Sequence, residues 1–163
     1  GKLSATPGPY KISNVDTPTS SSDAATKNYV DTTCGGQVLY FGNQDTPGST
    51  AQVALDPGFG ARTAPAVSGA FPSIEASRAG KLSQLRVTAF TGPTNASIDV
   101  TVYVAGLPTS ITCELLAAGT SATDVTHSAT VANGDKITVQ CKGRGGISSG
   151  AAEITATLLF TNG

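Results

Sequence analysis

The 163-residue sequence predicts an all-β domain, a sandwich or jelly roll, behind a short lead with too few apolar residues for a core of its own. Three observations carry that expectation. Beyond Gly80, runs rich in β-branched residues recur at short, regular spacing. Turn residues separate them, and no long segment carries the apolar period of a helix. The composition agrees: 19 glycines and 9 prolines with only 13% charged residues suit hairpins and closely packed strand faces.

From Gly1 to about Thr33 the chain is rich in Pro, Ser and Thr and reads as a connector. Within it, Ser22 or Asp23 can N-cap a brief helix whose face holds Ala25, Tyr29 and Val30. Two turns of helix need a partner surface to persist, which makes Tyr29 a candidate contact between subunits. Gln37–Gly42 follows as a strand with apolar side chains on both faces, Leu39 and Phe41 on one, Val38 and Tyr40 on the other. Such a strand is expected to be buried on both sides. The Gly-, Pro- and Ala-rich stretch from Asn43 to Ala70 holds a possible strand near Ala51–Leu55, and a second follows near Phe71–Ser77.

Six regular strands come next, at about Lys81–Thr91, Ala96–Val104, Thr109–Leu116, Asp124–Ala132, Lys136–Lys142 and Ala151–Thr161. Their separators are Gly92–Asn95, Ala105–Pro108, Ala118–Ser121, Asn133-Gly134 and Gly143–Gly146, with Asn133-Gly134 expected as a type I′ hairpin. Alternation assigns Ile98, Val100, Val102 and Val104 to the core, together with the rows Ile111, Cys113, Leu115 and Ile137, Val139, Cys141. The last strand puts Ile154, Ala156, Leu158 and Phe160 inside but leaves Leu159 on the opposite face. Phe90 and Tyr103 also fall on polar faces, so a second burying surface is expected, most simply an oligomer interface drawing on Leu39, Phe41, Phe90, Tyr103 and Leu159.

Ten Lys and Arg against eleven Asp and Glu give a net charge of −1, which supplies no basic field to gather phosphates, so no nucleic-acid partner is expected. No run approaches the ~18 apolar residues of a membrane helix, so no membrane insertion is expected. Cys34, Cys113 and Cys141 are odd in number and lack ligand spacing, which fits free thiols made in a reducing cytoplasm. His127 is the sole histidine, and no metal, cofactor or catalytic residue is assigned.

Ile12-Ser13-Asn14-Val15-Asp16-Thr17-Pro18 followed by Asp23-Ala24-Ala25-Thr26-Lys27-Asn28-Tyr29-Val30-Asp31 resembles the linking segment of bacteriophage tail fibres, Ile-x-Asn-Val-x-x-Pro and then Asp-Ala-x-x-Lys-x-Tyr-Val-Asp. Leu82 to Phe160 is similar, more loosely, to the trimeric jelly-roll heads related to C1q, tumour necrosis factor and the tips of bacterial collagen-like proteins. The segments Thr101–Thr112, Thr126–Val139 and Ala156–Phe160 carry that likeness. The resemblance implies a homotrimer in a virion tail fibre, made in the host cytoplasm, joined through residues 1–33 to the rest of the fibre. Residues 34–163 would then form a distal head that binds a bacterial surface receptor, a glycan or an outer-membrane protein. A trimerisation cap or virion decoration without a receptor is the alternative, and a polysaccharide-degrading tail enzyme is the weaker one.

Counting hairpins back from a last strand that ends at the stem sends Gly92–Asn95, Ala118–Thr123 and Gly143–Ser149 to the far end. Thr94, Asn95, Thr120, Ser121 and Arg144 are therefore the candidate receptor-facing residues, neutral hydrogen-bonding groups with one planar cation. None of those loops contains an aromatic ring.

Overall fold

The structure, a computed structural model, describes residues 36–43, 52–60, 71–144 and 152–162. The connector with its brief helix, Tyr29, Cys34 and the loop from residue 145 to 149 lie outside the described residues. The chain divides into two units, Gly1–Gly35 and Gly36–Gly163, and every described residue belongs to the second.

That unit is all-β. Its strands are β1 (Gln37–Asn43), β2 (Gln52–Gly60), β3 (Ile74–Glu75), β4 (Gly80–Thr91), β5 (Ile98–Val104), β6 (Leu107–Leu115), β7 (Ser121–Val131), β8 (Lys136–Gly143) and β9 (Ala152–Asn162). They form one continuous path, β6-β5-β8-β2-β1-β9-β4-β7, with β3 paired to β8 beside it. The path folds into two layers at β2. Gln52–Leu55 pair antiparallel with β8, whereas Gly58–Gly60 pair in parallel with β1, so the strand passes from one layer to the other at Asp56-Pro57. At the opposite side the two ends of the path, β6 and β7, pack against each other, and the sandwich is nearly closed into a barrel.

Alternation explains the interior. Ile98, Val100 and Val102 of β5, Ile111 and Leu115 of β6, and Ile137, Val139 and Cys141 of β8 are buried in one core with Ile154, Ala156, Leu158 and Phe160 of β9. Each such large aliphatic removed from water contributes about 1.5–3 kcal/mol. On β1 the same logic selects one apolar set over the other: Leu39 and Phe41 enter the core, while Val38 is 65% and Tyr40 is 41% exposed. The strand is thus not covered on both sides by the described residues. Its pairing with β9, Leu39 opposite Leu158 and Val38 opposite Leu159, decides which set goes inside.

Strict alternation fails once on β4. Leu82 and Leu85 are both fully buried, which an unbroken strand forbids. Gln84 resolves the conflict by adopting φ +55° in a bulge, visible as register shifts against both neighbours. Opposite it, Val125, Thr126 and His127 of β7 loop out of the ladder, since Ser83 pairs Ser128 but Leu85 pairs Asp124.

The turns also sort by what they join. Asn133-Gly134 is not the type I′ hairpin expected from its sequence: only Gly134 has positive φ, at +87°, the sign pattern of a type II turn. β7 and β8 are not ladder neighbours, so this turn crosses between layers and no hairpin twist is demanded. The tight hairpin lies between β5 and β6, where Ala105 (φ +51°) and Gly106 (φ +81°) both have the signs of type I′.

Candidate functional site

The chain enters β1 beside the end of β9, with Gln37 opposite Phe160. At the other end of the strands, β4 ends, β5 begins, β6 turns into β7 and β8 terminates. Two connections there are tied together by main-chain bonds: Ala118 N donates to Pro93 O at 2.8 Å, and Ala89 N donates to Thr120 O at 2.9 Å. The turn closes on itself through Gly119 N donating to Leu116 O at 2.8 Å.

Gly92 allows this contact. A Cβ there would stand 2.4 Å from Gly119 O and 2.7 Å from Ala118 C, so only glycine fits without moving backbone. Asn95 (φ +69°) and Ala118 (φ +60°) hold left-handed conformations, ordinary for Asn and costly for Ala. Between the two connections lies a groove of about 610 Å³ lined by Phe90, Thr94, Asn95, Ala117 and Thr120, among others. Phe90 is 80% exposed and supplies the aromatic wall that the loop sequences lack. Among the described residues, every group lining the groove is neutral, without carboxylate, histidine or thiol.

The expected receptor-facing residues therefore separate into groups. Thr94, Asn95 and Thr120 meet in the groove. Ser121 is exposed on β7 opposite Thr88, beside the groove but not in its wall. Arg144 reaches the same end, where its backbone N donates to Ser97 O at 2.9 Å, yet its cation is already engaged. Nη2 and Nε donate to Asp99 at 2.9 and 3.1 Å, and Nη1 lies 2.9 Å from Glu114 Oε1, which also accepts from Ser97 Oγ at 2.5 Å. The Asp99 hydrogen bonds, then the Asp99 and Glu114 charges, raise the guanidinium pKa further. Arg144 braces β8 against β5 and β6 and does not offer a free fork.

The residues expected at an oligomer interface also part ways. Leu39 and Phe41 are core, and their place on the outer face of β1 belongs to Val38 and Tyr40. Leu159 is half-buried beside Val38, and the two form an apolar stripe with Tyr40 on the outside of the β1–β9 pair. Phe90 belongs to the groove. Tyr103 lies on the outside of the other layer, half-buried, and its hydroxyl accepts from Gln52 Nε2 at 3.0 Å.

A second polar centre escaped the sequence reading. The Asp124 carboxylate on β7 is 6% exposed and accepts from Thr112 N of β6 at 3.0 Å, which joins the two strands that end the path. It also accepts from Thr126 N, Thr126 Oγ1 and His127 N, each at 3.1 Å, and the His127 ring Nδ1 lies 2.9 Å away. Burial alone would raise the Asp124 pKa, but the amides of His127 and Thr112, with the His127 ring and the Thr126 amide, hold it well below the usual carboxylate range. Thr126 Oγ1 sits at the same ring nitrogen as Asp124, 3.2 Å from Nδ1. A catalytic triad needs acid and nucleophile on opposite ring nitrogens, so these three residues form a structural knot. The sequence signal was Asp124 two residues before Thr126, a side chain that can bond its own backbone.

Cys113 and Cys141 flank Val100 on either side in the ladder, and both are free thiols. Burial first, then the charges of Asp124 and Asp99, push the Cys113 thiol up to about 12, and burial pushes Cys141 higher still. Neither forms a thiolate at neutral pH. No family model matches the chain, and no curated protein matches it in sequence.

Proposed function

We propose that the chain is the distal head of a bacteriophage tail fibre, a homotrimeric jelly roll that attaches the virion to a bacterial surface receptor without chemistry. One observation carries the reading: the end of the head opposite its chain entrance bears a neutral groove with an exposed Phe90 and the polar groups of Thr94, Asn95 and Thr120. An aromatic face with hydrogen-bonding neighbours suits a sugar ring or a polar protein surface. Among the described residues the lining offers no carboxylate, histidine or thiol, which favours binding over cleavage. The linker-like motifs from Ile12 to Asp31 support the fibre, and the stripe of Val38, Tyr40 and Leu159 supports association of the heads. Three weak sites on one trimer would act at high effective concentration.

The test is binding of the labelled full chain to a panel of bacterial strains, with its mass measured in solution. The expected result is a trimer that binds a subset of strains, with Phe90→Ala and Asn95→Ala each lowering binding by about tenfold or more. A monomer at micromolar concentration would remove the trimer. An intact trimer that binds no strain would favour a structural cap, and release of reducing ends from capsule would favour an enzyme.

A further inference from the structure

The outer face of the other layer carries a second cavity, remote from the loop groove in sequence and lining. Gln140 on β8 is 6% exposed, and its Oε1 is enclosed with no hydrogen-bond partner. An unpartnered buried carbonyl costs about 1–3 kcal/mol. Beside Gln140 lies a cavity of about 400 Å³, within the size range of small-ligand sites and bordered by Gln52, Phe71, Ser73, Tyr103, Lys136 and Thr138. The β5–β8 register explains the convergence, since Tyr103 pairs Thr138 and Gln140 pairs Thr101, so these side chains share the outer face. Gln52 Nε2 already donates to the Tyr103 hydroxyl at 3.0 Å, which holds the phenol across β8.

We propose that this cavity binds a small polyhydroxylated ligand, a mono- or disaccharide. Phe71 and Tyr103 supply apolar faces for the C–H side of a sugar ring. The hydroxyls of Ser73 and Thr138 both donate and accept. Gln140 supplies the group that selects this chemistry. The terminal torsion of a glutamine side chain is soft, so the amide can turn toward the cavity and present an acceptor and a donor to neighbouring sugar hydroxyls. Among the described residues Lys136 is the single charge in the wall, too little for a phosphate-rich ligand and compatible with a neutral or singly acidic sugar. The site does not depend on receptor binding at the Phe90 groove.

The experiment is an amide-detected NMR titration of the full chain at millimolar concentrations of neutral hexoses, N-acetylhexosamines, uronic acids and disaccharides of each. Saturable shifts are expected at Gln52, Tyr103, Thr138 and Gln140 with at least one sugar. Gln140→Leu should weaken that sugar about tenfold, the effect of one lost buried hydrogen bond. Tyr103→Ala is the second variant should Gln140→Leu lose its amide dispersion, and it should weaken the sugar by a similar factor. Phe90→Ala should leave these shifts unchanged, which separates failure here from failure of the loop groove. No saturable shift at the cavity with any sugar, or affinity unchanged in folded Gln140→Leu, overturns the proposal.

Discussion

Replacing Asp124 by Asn tests whether a carboxylate closes the sandwich. The substitution keeps the shape and one carbonyl. If that carbonyl takes the place of Oδ1, it retains the bonds to Thr126 and His127, and the new NH₂ group then faces the Thr112 N–H across the β6–β7 seam. One charge-assisted bond, worth about 1.5–3 kcal/mol, is lost and one amide is left facing another donor. The expected destabilisation at pH 7 is about 2–4 kcal/mol, a fall in Tm of about 8–15 °C for a domain of this size. The pH dependence gives a second, independent sign. Because the folded carboxyl lies below its unfolded value of about 3.9, its contribution is present in full above about pH 5 and is lost as the pH falls toward the folded value. By pH 2 the wild-type chain should have lost on the order of 2 kcal/mol from this group alone, while the Asn variant loses nothing from it. Urea titrations of both chains from pH 7 to pH 2 measure this directly. A deficit below about 0.5 kcal/mol at pH 7, or a deficit that does not shrink on acidification, would mean that the carboxylate does not close the β6–β7 seam.

Gly92→Ala should destabilise by about 1–3 kcal/mol in thermal melts, because its Cβ would strike Gly119 O, and it should also reduce strain binding by separating the two loops. Ala105→Gly should stabilise by about 0.5–1 kcal/mol, read as a higher urea midpoint, since the side chain at φ +51° is removed from a left-handed turn. Arg144→Ala should move the urea midpoint little, as its partners are all partly solvated, and should leave strain binding nearly unchanged because the cation is already committed to Asp99 and Glu114. Iodoacetamide at pH 8 should leave Cys113 and Cys141 unlabelled in the folded chain and label both in urea, as mass spectrometry of tryptic peptides will show.

The interior of the sandwich was legible because a strand with one apolar face declares that face, and β5, β8 and β9 each did so. β1 could not be read in the same way. With Val38 and Tyr40 on one side and Leu39 and Phe41 on the other, both sets are equally apolar, and only the register against β9 distinguishes them. The Gln84 bulge was hidden for a different reason: an inserted residue is a backbone event, and Leu82-Ser83-Gln84-Leu85 carries no Gly, Asn or Asp at the position that takes positive φ. Asn133-Gly134 shows the limit of local preference, since the dipeptide states that the chain turns but not whether its flanking strands will pair. At the loop end, counting hairpins sufficed to bring Thr94, Asn95 and Thr120 together. It could not foresee that Arg144 would meet Asp99, 45 residues away, or that Phe90 would serve the groove.

The placement of apolar side chains also constrains how heads would associate. A stable interface buries about 800 Å² on each partner and engages roughly 20–30 residues a side. Val38, Tyr40 and Leu159 are too few to supply that alone, but they lie in ladder register with Thr157 and Ser83, and the Arg86 cation stands one strand further out. Tyr40 pairs Thr157, and Thr157 pairs Arg86, while Leu159 pairs Ser83. Thr88 and Thr155 already bond each other at 2.6 Å on the same face, so covering them leaves one O–H donor rather than two for a partner to satisfy. An apolar centre at β1–β9 flanked by paired threonines costs little to desolvate when the Arg86 guanidinium stays at the wet rim. The opposite layer offers no equivalent, because the Gln140 carbonyl would be buried more deeply still without a donor. The proposed trimer should therefore close on the β1–β9–β4 face and leave both the Phe90 groove and the Gln140 cavity open to ligands.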